Sequence, residues 1–167
     1  MTENEQLVHT FYKAFQDRNF KTMQECYSDR ATFSDPVFRN LNAGQVRAMW
    51  EMFLVKNDSL TISFGNIETV GEMVTARWKA NYILSSTGRP VTNNIRSIFR
   101  IKNNQIVRHT DRFDLYGWTR QALGIKGILL GWTPFVKTRI RRKAMASLLG
   151  YIREKNRGPE LGYKKTI

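Results

Sequence analysis

Residues 105–124 have the sequence QIVRHTDRFDLYGWTRQALG. Their first half has the alternating, β-branched pattern of a strand, and their second half has the pattern of a short helix. Side chains alternate between the two faces of a strand, so His109 and Asp111 share one face. If that face is the interior, a polar pair replaces apolar packing. A ligand, a reaction or an internal hydrogen-bond network must then account for it.

The segments before this strand change from a helical to a strand-like period along the chain. Helical spacing of apolar residues predicts three helices, at 5–17, 20–27 and 43–56, with a short strand at 31–33 between the last two. Alternation and β-branched residues then predict strands at 60–68, 74–84, 91–101 and 105–115, joined in part by hairpin-like linkers. This order predicts an α+β fold in which the helices pack on one face of a curved antiparallel sheet.

The composition is that of an ordinary globular domain. With 167 residues, of which 41% are hydrophobic, the chain is long enough to bury a core. Its single cysteine, Cys26, lies in a helical apolar pattern and is predicted to fill the core. We expect no metal and no cofactor, since no Cys/His cluster has ligand spacing. No signal-peptide pattern and no membrane-length apolar run is present, so we expect a cytoplasmic protein.

Positive charge is concentrated near the end of the sequence. Residues 1–116 contain 15 basic and 12 acidic side chains, whereas residues 117–167 contain 12 basic and 2 acidic ones, for a net charge of +13. This asymmetry argues against a domain wholly devoted to nucleic acid, and it indicates a separate C-terminal element.

Three segments of the chain carry a resemblance to a known family: ATFSDP at 31–36, GRPVTNN at 88–94, and HTDRFDL with QALG at 109–124. With the order of elements over residues 5–124, they resemble the nuclear transport factor 2-like superfamily, and within it the SnoaL-like polyketide cyclases. The resemblance implies a cone-shaped sheet with the N-terminal helices on its concave face, and a homodimer. We expect a SnoaL-like domain over 1–124, a helical extension over 125–156 and a flexible tail over 157–167. Such a fold hosts many functions.

Asp35 matches the general base of ketosteroid isomerase, which belongs to the same superfamily. A carboxyl group at the mouth of an apolar cone is desolvated, so its pKa rises and it can move a proton beside a carbonyl group. A turn residue before Pro36 is the alternative. The oxyanion donors of that enzyme fall on Phe11, beside Tyr12, and on Ser97, so its reaction is not implied.

Asp111 matches the general acid/base aspartate of the SnoaL-like cyclases, and His109 is placed to orient it or a substrate. It also matches the last-strand aspartate of limonene epoxide hydrolase, but Trp78 and Ala80 replace that enzyme's other two acid/base groups. Alternating positions on the neighbouring strands add substrate contacts at Trp78, Tyr82, Asn93 and Ser97, and the first helix adds Tyr12. A buried structural network for the His/Asp pair, and a core position for Trp78, are the alternatives.

The C-terminal element has four interpretations. Residues 127–132 are apolar, Thr133 and Pro134 indicate a helix start, and 135–154 form a basic amphipathic helix. This helix could cover the cone as a lid, dock on a second subunit or lie on an anionic membrane surface. Nucleic acid is the least supported partner because no reading module accompanies the charge.

Two hypotheses follow. In the first, the protein binds a small, mostly apolar, carbonyl-bearing molecule and catalyses cofactor-free isomerisation, cyclisation or hydrolysis, with Asp35 and Asp111 as proton carriers and His109 as the orienting group. In the second, it is a non-catalytic ligand-binding or interaction module whose basic helix docks on a membrane or an acidic partner.

Overall fold

The helices of the N-terminal half begin at polar caps that precede apolar runs. The computed structural model describes residues 1–158 and contains helices α1 (Glu3–Gln16), α2 (Phe20–Glu25) and α3 (Ala43–Lys56) and strands β1 (Tyr27–Ser34) and β2 (Leu41–Asn42). Thr2 and Asn42 start α1 and α3 through reciprocal capping boxes. The predicted helices are confirmed to within two residues, but β1 is longer than the three predicted residues and β2 was not predicted.

The remaining strands form the predicted meander. They are β3 (Thr61–Val70), β4 (Met73–Leu84), β5 (Arg89–Lys102) and β6 (Gln105–Arg112), and the six-stranded sheet has the order β2-β1-β6-β5-β4-β3. In the antiparallel β5–β6 pair, Ser97 lies opposite Asp111 and Phe99 opposite His109. β1 differs from the expected antiparallel pattern: it runs parallel to β6. The helix and the meander between the two strands supply the long connection that a parallel pair requires.

An aromatic cluster fills the deep end of the concave face. Inward positions of β4 and β5 meet the apolar faces of α1 and α3 there, and the fully or nearly fully buried rings are Phe11, Tyr12, Phe15, Tyr27, Phe33, Trp50 and Phe99. Cys26 is buried beside this cluster and its thiol donates to the Thr22 carbonyl, which confirms the predicted core position. The cluster leaves only the outer part of the cone unfilled.

Three helices follow the sheet: α4 (Leu115–Leu123), α5 (Ile125–Leu130) and α6 (Pro134–Arg157). The apolar side of α6 packs on the domain through the buried Leu148 and the partly buried Met145 and Ile152. Tyr151 donates to Glu51 of α3, 3.1 Å away, and Lys155 pairs with the same carboxylate. None of the helices within residues 1–158 is long and apolar enough to cross a membrane. Most of the predicted tail, from residue 159 onward, lies outside the described residues.

Candidate active site

A continuous chain of hydrogen bonds runs through the core behind β6. Trp50 Nε1 donates to the Tyr27 hydroxyl at 2.9 Å, and that hydroxyl lies 2.6 Å from His109 Nδ1. His109 Nε2 lies 2.8 Å from Asp111 Oδ1. Tyr27 and His109 are fully buried, so no water competes for these hydrogen bonds.

The donors and acceptors of this hydrogen-bond chain determine the tautomer of His109. The Tyr27 oxygen accepts a hydrogen bond from Trp50 Nε1. The Tyr27 hydroxyl has His109 Nδ1 as its other hydrogen-bond partner within residues 1–158, so it donates its own proton to that nitrogen. His109 Nε2 then carries the ring proton and donates it to Asp111. In this tautomer each donor and acceptor of the hydrogen-bond chain has a partner.

Ser97 forms a second branch of the same network. Its hydroxyl accepts from the Tyr12 hydroxyl at 2.6 Å and from Trp78 Nε1 at 3.0 Å, and it donates to Asp111 Oδ1. One oxygen of Asp111 therefore accepts two hydrogen bonds, from Ser97 and His109. These two hydrogen bonds fix the orientation of the carboxyl group.

The second oxygen of Asp111 faces a cavity. Asp111 is 4% exposed, and its Oδ2 makes no hydrogen bond within residues 1–158. In the same residues every buried side-chain nitrogen or oxygen has a partner, so Oδ2 must be accessible. Asp111 lines a cavity of about 330 Å³, so this oxygen is a polar group in the wall of the cavity.

The walls of this cavity are mostly apolar. It lies between the sheet, α3, α6 and the loop after β1, and its volume is at the lower end for small-molecule sites. Apolar side chains supply most of the lining, including Phe33, Phe38, Met49, Phe53, Ile95 and Phe113. From α6, Ile140 and Ala144 close one side of the cavity, so part of the predicted basic helix covers the cone.

Asp35 lies on the wall of the same cavity. Its Oδ1 accepts hydrogen bonds from the backbone amides of Val37 at 2.7 Å and Phe38 at 2.5 Å, which explains its place in the turn before Pro36. Burial, together with the negative charge of Asp111, raises its pKa from 3.8 to about 7, against the two amide hydrogen bonds and the charge of Arg141. Asp35 therefore exchanges a proton near neutral pH.

Of the predicted site residues, five line the cavity: Asp35, Asp111, Trp78, Tyr82 and Asn93. The other three do not. Tyr12 and Ser97 were expected to contact a substrate, but the aromatic cluster fills the cone at their depth and both lie fully buried behind Asp111. His109 is equally buried, does not line the cavity and contacts Asp111, which does.

Sequence reasoning missed two residues that shape the site. Trp118 on α4 lines the cavity and donates from Nε1 to the Tyr82 hydroxyl at 2.7 Å. The spacing of Leu115, Trp118 and Ala122 is helical and could have indicated this. Tyr27 had no such signal, because its role depends on the parallel pairing of β1 with β6. Asp114 occupies the N-cap position of α4, but its side chain makes no capping hydrogen bond.

A second depression, of about 450 Å³, lies open on the outer face of the sheet. Arg77, Arg96 and Arg112 stand directly opposite one another there on three adjacent strands. Its lining residues include no Asp or Glu, whereas the inner cavity is lined by Asp35 and Asp111. Within residues 1–158, no three His, Cys, Asp or Glu side chains group closely enough to hold a metal ion.

The family model of the SnoaL-like domain matches residues 8–109. No curated protein sequence matches the chain.

Solved structures with this fold cover about three quarters of the chain. A nuclear transport factor 2-like protein of unknown function from Burkholderia pseudomallei is 17% identical, with a TM-score of 0.63 over 73% of this chain and 98% of its own. An LEH-like epoxide hydrolase from M. tuberculosis is 17% identical, with a TM-score of 0.59 over 79% and 96%. IdmH, a candidate polyketide cyclase from Streptomyces antibioticus, is 18% identical, with a TM-score of 0.62 over 74% and 100%. At these identities the similarity establishes the cone-like fold.

Proposed function

The chain belongs to the SnoaL-like domain family, and from that premise we propose that it catalyses proton transfer in a small, mostly apolar molecule carrying a carbonyl group. The product would be an isomer or a cyclised form, and no cofactor takes part. One observation carries the proposal: two carboxyl groups in different hydrogen-bond environments line a single apolar cavity. Such a pair divides the acid and base roles.

Asp111 is the general base in this proposal. Its Oδ2 takes a proton from the carbon next to the substrate carbonyl, the C–H electron pair forms a C=C bond, and the carbonyl oxygen gains a pair. His109 and Ser97 hold the carboxylate in place through Oδ1 and contact no substrate. Tyr27 keeps His109 in the tautomer that donates to Asp111.

Asp35 is the general acid. With its pKa raised to about 7, it keeps its proton at pH values at which an ordinary aspartate is ionised. It gives this proton to the carbonyl oxygen as the enol forms, and takes it back when the enol reverts. For isomerisation, Asp111 returns its proton to a different carbon. For cyclisation, the enol carbon attacks a second carbonyl group of the same molecule, whose oxygen takes the proton from Asp111.

The substrate class follows from the lining of the cavity. Aromatic and aliphatic walls favour an apolar body, and the volume of about 330 Å³ restricts it to a small molecule. Tyr82, hydrogen bonded to Trp118, and Asn93 supply polar groups for its orientation. The candidate polyketide cyclase among the related structures supports this class. Epoxide hydrolysis is not proposed, because Trp78 and Ala80 stand on β4 where further acid/base groups would be needed.

The proposal is tested by solvent-proton exchange. Wild-type protein is incubated in deuterated buffer with a panel of apolar cyclic ketones and enones, and mass spectrometry follows deuterium uptake at the carbon next to the carbonyl. We expect uptake above the buffer rate, reduced about 10²–10⁴-fold in Asp111→Asn and in Asp35→Asn. Asp58→Asn removes a fully exposed carboxylate and should leave the rate unchanged.

The pH profile separates the two roles. Exchange by the wild type should decline as pH rises past about 7, where Asp35 loses the proton that it donates. If the protein binds compounds of the panel but causes no deuterium uptake at any pH, the enzymatic proposal is refuted and a non-catalytic binding module is favoured.

A further inference from the structure

Helix α5 presents its large apolar side chains to solvent. In an ordinary surface helix the apolar residues face the core and small or polar residues face water. In α5 the arrangement is reversed: Gly127 is buried, whereas Ile128, Leu129 and Leu130 are exposed. This reversal costs solvation free energy in an isolated domain, and an exposed apolar surface of this kind is typical of a docking site.

The orientation of α5 is fixed by close packing against α4. A Cβ atom on Gly127 would lie 1.9 Å from the backbone oxygen of Thr119, and one on Gly131 would lie 2.1 Å from the Thr119 hydroxyl. The Tyr116 hydroxyl also donates to the Ile128 carbonyl at 3.0 Å. These contacts allow only glycine on the inner side, so α5 cannot rotate to bury its leucines.

The exposed apolar patch continues into the start of α6. Six large apolar side chains lie within eleven residues, and each is between 51% and 76% exposed: Ile125, Ile128, Leu129, Leu130, Trp132 and Phe135. We call these residues the α5 patch. The Trp132 indole donates to the Leu129 carbonyl at 3.1 Å, which holds the ring at the surface. Tryptophan in such a position is typical of membrane interfaces.

Basic residues border this patch in the sequence. Residues 115–153 contain eight Lys or Arg side chains and no Asp or Glu. Arg139, Arg142 and Lys143 are exposed and follow Phe135 at helical spacing, so they extend the same face of α6. A second copy of this surface would bring like charges together, whereas an anionic surface complements them.

We infer that the α5 patch docks on an anionic lipid bilayer, with its apolar side chains in the interface and Arg139, Arg142 and Lys143 at the headgroups. This differs from docking through the apolar side of α6, because Met145, Leu148 and Ile152 already pack on the domain. The inference does not depend on the chemistry proposed for the cavity.

The test is co-sedimentation of the full chain with vesicles. Wild-type protein should bind vesicles of phosphatidylcholine with phosphatidylserine as the minor lipid, and should bind pure phosphatidylcholine at least about 10-fold more weakly. Each cation that faces the headgroups contributes about 5-fold to the affinity for the vesicles. Arg139→Gln/Arg142→Gln/Lys143→Gln should therefore weaken binding about 100-fold. Leu129→Ser/Leu130→Ser should weaken it more than about 10-fold, because the serines bury far less apolar surface.

Matched control variants change the same properties elsewhere. Arg77→Gln/Arg96→Gln/Arg112→Gln removes three charges from the outer face of the sheet, and Val70→Ser/Ile83→Ser removes two exposed apolar side chains from the β-hairpins. Both should bind vesicles like the wild type, and circular dichroism should show that all four variants are folded.

Three outcomes would overturn the inference. The first is no difference between the two kinds of vesicle. The second is an equal loss of binding in the control variants. The third is a dimer in sedimentation equilibrium that Leu129→Ser/Leu130→Ser converts to a monomer, because the patch would then be a self-interface.

Discussion

The substitution Asp35→Asn should stabilise the protein at alkaline pH and not at acid pH. Asparagine retains a side-chain oxygen that can accept the hydrogen bonds from the backbone amides of Val37 and Phe38, so the turn is preserved. It removes the ionisable group that burial and Asp111 disfavour in its charged form. The variant therefore isolates the free-energy cost of holding this charge in the cavity.

The magnitude follows from proton linkage. A rise in pKa from 3.8 to about 7 means that the folded state binds a proton more tightly than the unfolded state. The contribution of Asp35 to stability is complete below pH 3.8, decreases as pH rises toward about 7, and is constant above that. The full difference corresponds to about 4 kcal/mol, and partial solvent access reduces the expected gain to about 2 kcal/mol at pH well above 7.

Urea denaturation of the two proteins on either side of this pH window measures the effect. Asp35→Asn should unfold at higher urea than the wild type at alkaline pH, with the gap closing as pH falls below the ordinary carboxyl range. Asp58→Asn is the control, since that side chain is fully exposed. An equal gap at both pH values, or none at alkaline pH, would refute the account of a desolvated carboxyl group. Greater stability with less activity is the usual result of removing a strained functional group.

Two further predictions concern the network and the helix packing. Tyr27→Phe leaves the Trp50 indole and His109 Nδ1 without partners in the core, so the free energy of unfolding should drop by about 2–4 kcal/mol in urea titrations; a loss under about 1 kcal/mol would contradict the assigned hydrogen bonds. Gly127→Ala places a methyl group against a backbone oxygen of α4 and should lower the free energy of unfolding by about 1–3 kcal/mol. Gly150→Ala in α6 meets no atom within 4 Å and should raise the free energy of unfolding by about 0.5–1 kcal/mol. Thermal unfolding compares the two variants, and equal effects would argue against the close packing of α5.

Periodicity predicted much of the fold and part of the site. Alternation on β6 correctly placed His109 and Asp111 on one inward face, and the same rule placed Ser97 and Trp78 beside them. The alternation of side chains does not indicate how deep in the cone an inward residue lies. The rings of the aromatic cluster occupy the cone at the level of Ser97, so an inward position there contacts protein and not the cavity.

Long-range pairing and inverted amphipathicity were beyond sequence reasoning. Tyr27 reaches His109 only because β1 adds to the sheet in parallel beside β6, and no local pattern encodes that neighbour. Helix α5 falls within the helical extension expected over 125–156, but its exposed apolar face was not predicted, because Gly127 and Gly131 stand where a helix normally places apolar residues. At both places the sequence departs from simple periodicity. The two proposed functions also involve these places: Tyr27 holds His109 in its tautomer, and α5 contributes to the membrane-docking patch.

The most direct test of the central claim is a crystal structure of the wild-type protein with a bound bicyclic phenol, which stands in for the enol of a ketone substrate. The account predicts that the phenol ring occupies the cavity under α6, with its oxygen about 2.6–3.2 Å from the carboxyl group of Asp35. Asp111 Oδ2 should face the adjacent ring carbon. A phenol bound only at the outer face of the sheet, or a cavity closed by Trp118 and Tyr82 with both carboxyl groups hydrogen bonded within the protein, would contradict it.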